Sequence, residues 1–512
     1  MPNADDDTLA SWGGGQDLSA WEALMWRTGG DYRTRSTGVM VELLDTEPDW
    51  DRLVAAHDRF TQRVPRLRER VVEPAVPLVA PAWSPDPHFD LEYHLQRVRL
   101  PGDGSMAELH DLAAQFAARP LDPERPPWEA LLVLGITEGR AAYLFKPHHS
   151  LSDGIGLLQL LDLAHGHSQD PGPSDDRPMP EPRRAESPEG LLVNRLAGKI
   201  AGAPADALRE TVRLAGRFVG DPIGTTSEAV KFAMSLRRVL TPPDTPHSPA
   251  LTGSGSGYRL DTFDVAFDDL KAAGRAAGGS VNDAFLASLL GGVRRYHEKL
   301  SLSVDSMPVA IPVSLRTDAD PMGANKFAGA RFVAPVGEVD PATRIAAIHD
   351  FIADARMEPA LGFLDLLAPV LSRLPGIVLT RIAGEMTGLS DLQASNLGAI
   401  GRPLYLAGAK VTRIYPMGPR PGIPAMVAML TYDGTCCIAV NYDPEAIADP
   451  AAFSYTPALV QVETHGTLTS GMTVTDFSRS ARHNTRVATA IDADRFWTTV
   501  LGAYGTLPVA QA

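Results

Sequence analysis

The sequence predicts an α/β protein of two layered units, and three observations carry that expectation. From Leu18 to about Gly166, short β-rich runs alternate with runs of helical period, the alternation expected of a sheet covered by helices. A second series of the same kind starts near Tyr258 and continues through the rest of the chain. Between them, residues 168–190 are dense in Pro, Ser and charge, the composition of a surface linker. The expected organisation is a mobile, Gly-rich tail over 1–16, a first unit over 17–167, a linker with a basic helical segment over 168–257, and a second unit over 258–512.

In the first unit, residues 38–45, 93–100, 128–136 and 140–148 read as strands, and 107–120 and 154–166 as helices. The segment 191–240 carries eight basic residues against four acidic ones. Arg209, Arg213 and Arg217 recur every four residues and so share one helical face. Such a face can lie on an anionic membrane surface, or it is the solvated side of a packed helix. In the second unit, 281–300 reads as a helix and 307–315, 403–416, 425–434 and 435–443 as strands, with Asp433-Gly434 as the turn of a hairpin.

Composition excludes several function classes. Hydrophobic residues make up 44% of 512 residues and charged residues 21%, a balance that builds large cores in a globular protein. The net charge of −15 repels phosphate backbones, so nucleic acid is not an expected partner. The two cysteines, Cys436 and Cys437, are neighbours, which rules out a disulfide scaffold and points to a reducing compartment with both thiols packed in the core. The N-terminus is acidic without an apolar run, and no stretch of ~18 apolar residues occurs. The expectation is a cytoplasmic protein, with peripheral attachment to the inner membrane face or to lipid inclusions left open.

The chemistry concentrates at Lys146-Pro147-His148-His149-Ser150-Leu151-Ser152-Asp153-Gly154, where an apolar strand meets two histidines, a short polar turn and an apolar helix. A histidine fixed at a strand end can move protons near neutral pH. Adjacent histidines on an extended chain point to opposite faces, and no Cys/His/Glu cluster of metal-ligand spacing accompanies them, so no metal is expected. Asp153 could be only a helix cap, but the glycine, the turn and the helix behind it make a rigid catalytic site the better reading. Neither Ser150 nor Ser152 stands in a Gly-x-Ser-x-Gly elbow, so a covalent acyl-enzyme is not required.

His148-His149 followed by Asp153-Gly154 resembles the active-site motif of the CoA-dependent acyltransferase superfamily, which includes chloramphenicol acetyltransferases and peptide-synthetase condensation domains. Upstream, Pro120-Leu121-Asp122 with Arg125-Pro126-Pro127-Trp128-Glu129 resembles a signature of bacterial wax ester synthase/diacylglycerol acyltransferases. Val64-Pro65-Arg66-Leu67-Arg68 and Asp86-Pro87-His88-Phe89-Asp90 fit the N-terminal half of that family. Asn282-Asp283, the run from Pro312 to Arg316 and the run from Pro403 to Ala409 fit its C-terminal half. The order of these motifs over residues 18–450 is more specific than any one of them. The chain departs from the family at Pro147, where Ile or Met is usual, and at Ser395-Asn396-Leu397-Gly398, a shortened form of Ser-Asn-Val-Pro-Gly-Pro. Residues 454–490 have no counterpart in it.

The resemblance implies two chloramphenicol-acetyltransferase-like α/β domains, each a mixed sheet with packed helices, and an active site in the channel between them. It implies an O-acyltransferase that moves a long-chain acyl group from acyl-CoA to diacylglycerol or a fatty alcohol, with acyl-CoA as substrate and no cofactor. His149 takes the role of general base beside His148, and Asp153 with Gly154 orients the site through a salt bridge to Arg316. Asn282 and Asp283 sit near the reacting centre in that reading, and otherwise are an N-cap and an acid on the helix dipole. Arg125, Trp128 and Glu129 are either structural support or a binding element. The alternatives are acylation of another alcohol, such as a polyketide or glycolipid hydroxyl, and a non-catalytic lipid-binding paralogue.

Overall fold

A computed structural model describes residues 9, 11–75, 79–170, 184–195, 245–252, 255–316, 320–356 and 389–453. The first half supplies α1 (Ala20–Thr28), β1 (Val39–Leu44), α2 (Trp50–Arg63), β2 (Glu69–Val72), β3 (Ala82–Pro85), α3 (Leu91–His94), β4 (Leu95–Arg99) and α4 (Met106–Ala118). It closes with β5 (Trp128–Ile136), β6 (Arg140–Pro147) and α5 (Gly154–Ala164). The second half supplies β7 (Arg259–Ala266), α6 (Phe267–Ala276), α7 (Val281–Lys299), β8 (Met307–Ser314), β9 (Phe327–Ala334) and α8 (Pro341–Arg356). There follow β10 (Leu392–Ile400), β11 (Tyr405–Leu406), β12 (Ala409–Met417), β13 (Ala425–Tyr432), β14 (Thr435–Tyr442) and α9 (Pro450–Phe453).

Two mixed six-stranded sheets form the frame, ordered β11-β12-β1-β6-β5-β4 and β7-β14-β13-β10-β8-β9. Every residue of β1 and of β13 is buried, as in strands covered on both faces, and the one carboxylate among them, Glu42, lies 2.7 Å from His165 Nε2. At the rim of the first sheet, β4 exposes Gln96, Arg97, Val98 and Arg99, and charge on an edge discourages pairing with another chain. Asp433 and Gly434 both take positive φ in the β13–β14 turn, as a hairpin of this twist demands. Cys436 and Cys437 are buried in β14.

The sheets divide the chain differently from the boundary at 258. Residues 405–417 belong by sequence to the second unit, yet β11 and β12 complete the first sheet, with β12 antiparallel to β1 in the register Val39↔Met417 to Leu43↔Arg413. The reason is the side chains of β12. Its apolar residues Val411, Ile414 and Met417 join the first core, while Arg413 Nε and Tyr415 Oη donate to Asp264 of β7, at 2.5 and 2.9 Å. The strand thus ties one sheet to the other.

The tail expected over 1–16 also needs correction for residues 11–16. Trp12 is 2% exposed, and the Gly13 N–H donates to the Met322 carbonyl at 2.8 Å. The Arg66 guanidinium donates to the carbonyls of Gly13, Gly14 and Gly15 at 3.3, 3.2 and 2.7 Å, while pairing with Glu69 and lying over the Trp83 ring. Gly323, at φ +72°, makes room for the Trp12 ring, which would stand 2.4 Å from a Cβ there. The basic face of Arg209, Arg213 and Arg217 and the segment 454–490 lie outside the described residues. No helix among the described residues is long and apolar enough to cross a membrane.

Candidate active site

The site begins with strand pairing. β6 runs antiparallel to β5, with Trp128 opposite Pro147 and Glu129 opposite Lys146. Beyond the last pair, the His148 N–H donates to the Pro127 carbonyl at 2.9 Å and the His149 N–H to the Ser36 carbonyl at 2.6 Å. The Leu151 N–H then donates to the His148 carbonyl at 2.9 Å, closing a turn. Asp153 ends the turn as N-cap of α5, its Oδ1 accepting from the Gly156 N–H at 2.8 Å, which satisfies one of the helix's orphan donors.

The two histidines have different environments. His148 is 5% exposed, with its Nδ1 accepting from the Ser150 N–H at 3.1 Å and the Ser150 hydroxyl 2.8 Å away. The edge of Trp26 covers it at 5.3 Å, and its Nε2 would stand 3.0 Å from any Cβ on Gly29. Burial, with the neighbouring His149 ring, pushes its pKa down to about 3. It is a neutral packing residue. His149 is only partly buried. Burial lowers its pKa, against the opposing pull of the Asp153 charge.

The second half of the chain grips this turn. Arg316, just past β8, places Nη1 3.3 Å from Asp153 Oδ1, and the Lys326 N–H donates to Oδ2 at 3.1 Å. Ser152 Oγ donates to the Gly323 carbonyl at 2.9 Å, and Asn325 Nδ2 donates to the His149 carbonyl at 2.5 Å. Gln159 of α5 accepts from the Gly323 N–H at 3.0 Å. Gly154 lets β10 approach, since a Cβ there would lie 3.2 Å from Leu397 Cγ. His149, Asp153, Gly154, Arg316 and the 395–398 element therefore meet at one seam.

The other residues singled out by sequence stand apart from that seam in their contacts. Trp128 is buried, donates Nε1–H to the Leu67 carbonyl at 2.7 Å and stacks on His94 at 4.6 Å. Glu129 pairs with Lys146 Nζ at 2.6 Å, and Arg125 lies 3.7 Å from Asp86 and over the Tyr93 ring. The contacts of all three are to neighbouring groups of the first half of the chain. Asp283 requires a correction: it is 1% exposed, and its Oδ2 accepts from the Ser280 N–H at 2.7 Å and from His349 Nδ1 at 2.8 Å. Ser280 is the N-cap of α7 and Asp283 its capping-box partner, so that carboxylate is occupied by its own helix and by α8. Asn282, beside it, is half-buried.

Sequence reading missed Asn325, Lys326, Gln159 and the Ser36 carbonyl. An Asn after Gly323-Ala324 looks like a turn residue, and main-chain donors carry no sequence signal at all.

Comparison with known proteins matches this architecture. Residues 18–285 match the wax ester synthase/diacylglycerol acyltransferase catalytic domain and residues 324–455 the WS/DGAT C-terminal domain. A Mycobacterium tuberculosis protein bearing the name "Putative diacyglycerol O-acyltransferase Rv2484c" is 40% identical over 441 residues, 86% of this chain and 89% of that protein. The wax ester synthase/diacylglycerol acyltransferase from Marinobacter aquaeolei VT8 shares the fold at a TM-score of 0.55 and 18% identity, over 85% of this chain and 95% of that one. The first condensation domain of the CDA synthetase does so at 0.53 and 14%, over 90% and 97%. The fold is thus that of the two-domain, chloramphenicol-acetyltransferase-like enzymes, and the chain belongs to the wax ester synthase/diacylglycerol acyltransferase family as an acyl-CoA-dependent acyltransferase of that type.

Proposed function

We propose that the protein transfers a long-chain acyl group from acyl-CoA directly to the hydroxyl of diacylglycerol or of a fatty alcohol, forming triacylglycerol or wax ester, with His149 as general base. The observation that carries the reading is the contrast between two adjacent rings. His148 is sealed and hydrogen-bonded within its own turn, whereas His149 keeps solvent access while its main chain is held on both sides. An alcohol is a poor nucleophile at neutral pH, so a base must take its proton as the C–O bond forms. A ring whose pKa is lowered by burial is neutral at that pH and ready to accept. The hydroxyl proton passes to Nε2, the hydroxyl oxygen attacks the thioester carbonyl, the C–S bond breaks, and the imidazolium returns the proton to the departing thiolate. Asp153 acts by holding the turn against Arg316. Of the Asn282–Asp283 pair, Asn282 is the one with a side chain open to a donor role at the oxyanion.

The test is ester formation from labelled palmitoyl-CoA with diacylglycerol, a fatty alcohol and a panel of other lipid hydroxyls. His149→Ala is expected to lower the rate by ~10²–10⁴, the usual worth of a general base, while its thermal melt stays cooperative. Equal activity in that variant overturns the assignment. Turnover confined to another hydroxyl overturns the acceptor, and acyl-CoA binding without any turnover overturns the reaction.

A further inference from the structure

We infer that Asn325 is a positioning residue for the base: reaching across from the second half of the chain, its amide fixes the main-chain carbonyl of His149 and, through it, the ring. The inference rests on the reading of His149 as base. Both polar main-chain atoms of His149 are tied, the N–H to the Ser36 carbonyl at 2.6 Å and the carbonyl to Asn325 Nδ2 at 2.5 Å. One tie comes from each half of the chain. Such a double clamp leaves the residue one backbone position.

The amide can face only one way, because reversing it would set its oxygen against the carbonyl of His149. Asn325 is 8% exposed, and its Oδ1 is buried without a hydrogen-bond partner. A buried orphan oxygen costs free energy, and a leucine of nearly the same size would avoid that cost. What leucine cannot do is donate to a carbonyl. A side chain that breaks the rule of satisfied polar groups while making one bond to the reacting residue is the signature of a site where stability has yielded to function.

Residues 320–326, which carry Asn325, are tied at several points. Lys326 N–H holds Asp153, the Gly323 carbonyl accepts from Ser152, the Gly323 N–H donates to Gln159, and Arg316 donates to the Pro321 carbonyl at 3.0 Å. Trp12 packs against Gly323 from the other side. The carbonyl so fixed belongs to the residue that carries the base, so holding it together with the N–H sets the point from which the ring projects.

The test uses the full-length protein labelled with ¹⁵N-histidine, the His149 resonances being assigned through His149→Gln. In the wild type these resonances are expected to form one sharp set, and in Asn325→Leu to shift or broaden as the ring loses its fixed position. The same substitution is expected to lower kcat by about 10–100-fold with KM for palmitoyl-CoA within about two-fold, while the thermal melt stays cooperative. Asn325→Ser serves if the leucine variant does not fold. Unchanged His149 resonances overturn the inference whatever the activity. If the wild type esterifies no lipid alcohol, the reaction proposed above falls, and the spectra still decide whether Asn325 sets the ring.

Discussion

Asp153 and Asp283 stand in similar places and do different work. Each lies at the mouth of an apolar helix, accepts hydrogen bonds from main-chain N–H groups there, and pairs with one basic side chain. The partners of Asp153 include Arg316 and the Lys326 N–H, 163 and 173 residues away, and both come from the other half of the molecule. Those of Asp283 are Ser280, three residues away, and His349 on the packed neighbour α8. Capping chemistry is local and cheap, and any helix can use it. What makes a cap part of a site is a buried charge brought from a distant segment to a turn that also carries a reactive group.

The largest expected effect follows from that difference. Asp153→Ala leaves the Arg316 guanidinium, whose side chain is 11% exposed, without its carboxylate, together with the Lys326 and Gly156 N–H groups. One-sided loss of a buried ion pair costs roughly 3–5 kcal/mol. Denaturant unfolding should show that loss, and ester formation per folded molecule should fall with it, because the loop holding Asn325 loses an anchor. A variant that unfolds at the wild-type midpoint would show that the two halves are joined at this seam by something other than Asp153.

A pH profile separates the two histidines. The His149 pKa lies below the ordinary 6.5, through burial first, so the base is mostly neutral at pH 7 and activity should fall as pH drops through that lowered value. An acid limb of kcat/KM centred above 6.5 would mean that the Asp153 charge outweighs burial. For His148, pushed down to about 3, the folded state excludes a proton that the unfolded chain takes up. Its contribution to stability is therefore present above about pH 6.5 and is lost as pH falls from there toward 3. Unfolding midpoints measured between these limits check the sign.

Much of the fold was legible because its signals are local. The strand–turn–helix from Arg140 to Ala164 is written in an apolar run, a pair of histidines and an Asp-Gly cap. The pairing of Asp153 with Arg316 came from motif resemblance, and the two side chains do lie together. The rest was hidden for physical reasons. Nothing in residues 405–417 tells which of two sheets they join, since pairing is decided by β1 and by the carboxylate of Asp264. Residues 11–16 look mobile because their glycines have no side chains, yet it is their carbonyls that Arg66 binds. Asn325 escaped because its one bond runs to a main-chain oxygen.

The smallest expected effect is also the sharpest check on the comparison. Asp283→Ala removes an acceptor for the Ser280 N–H and for His349, whose side chain is 49% exposed. Water can replace the carboxylate at the exposed partner, so the loss is that of a helix cap, about 1–2 kcal/mol. Activity per folded molecule should stay within about two-fold of wild type, because the carboxylate is already engaged by Ser280 and His349. A Tm close to wild type together with a ten-fold or larger fall in kcat/KM, about 1.4 kcal/mol or more of lost transition-state binding, would invert the result. Asp283 would then have to reach the reacting centre in a conformation that frees it from Ser280, and the distinction between a cap that builds a helix and a cap that builds a site would fail at this position.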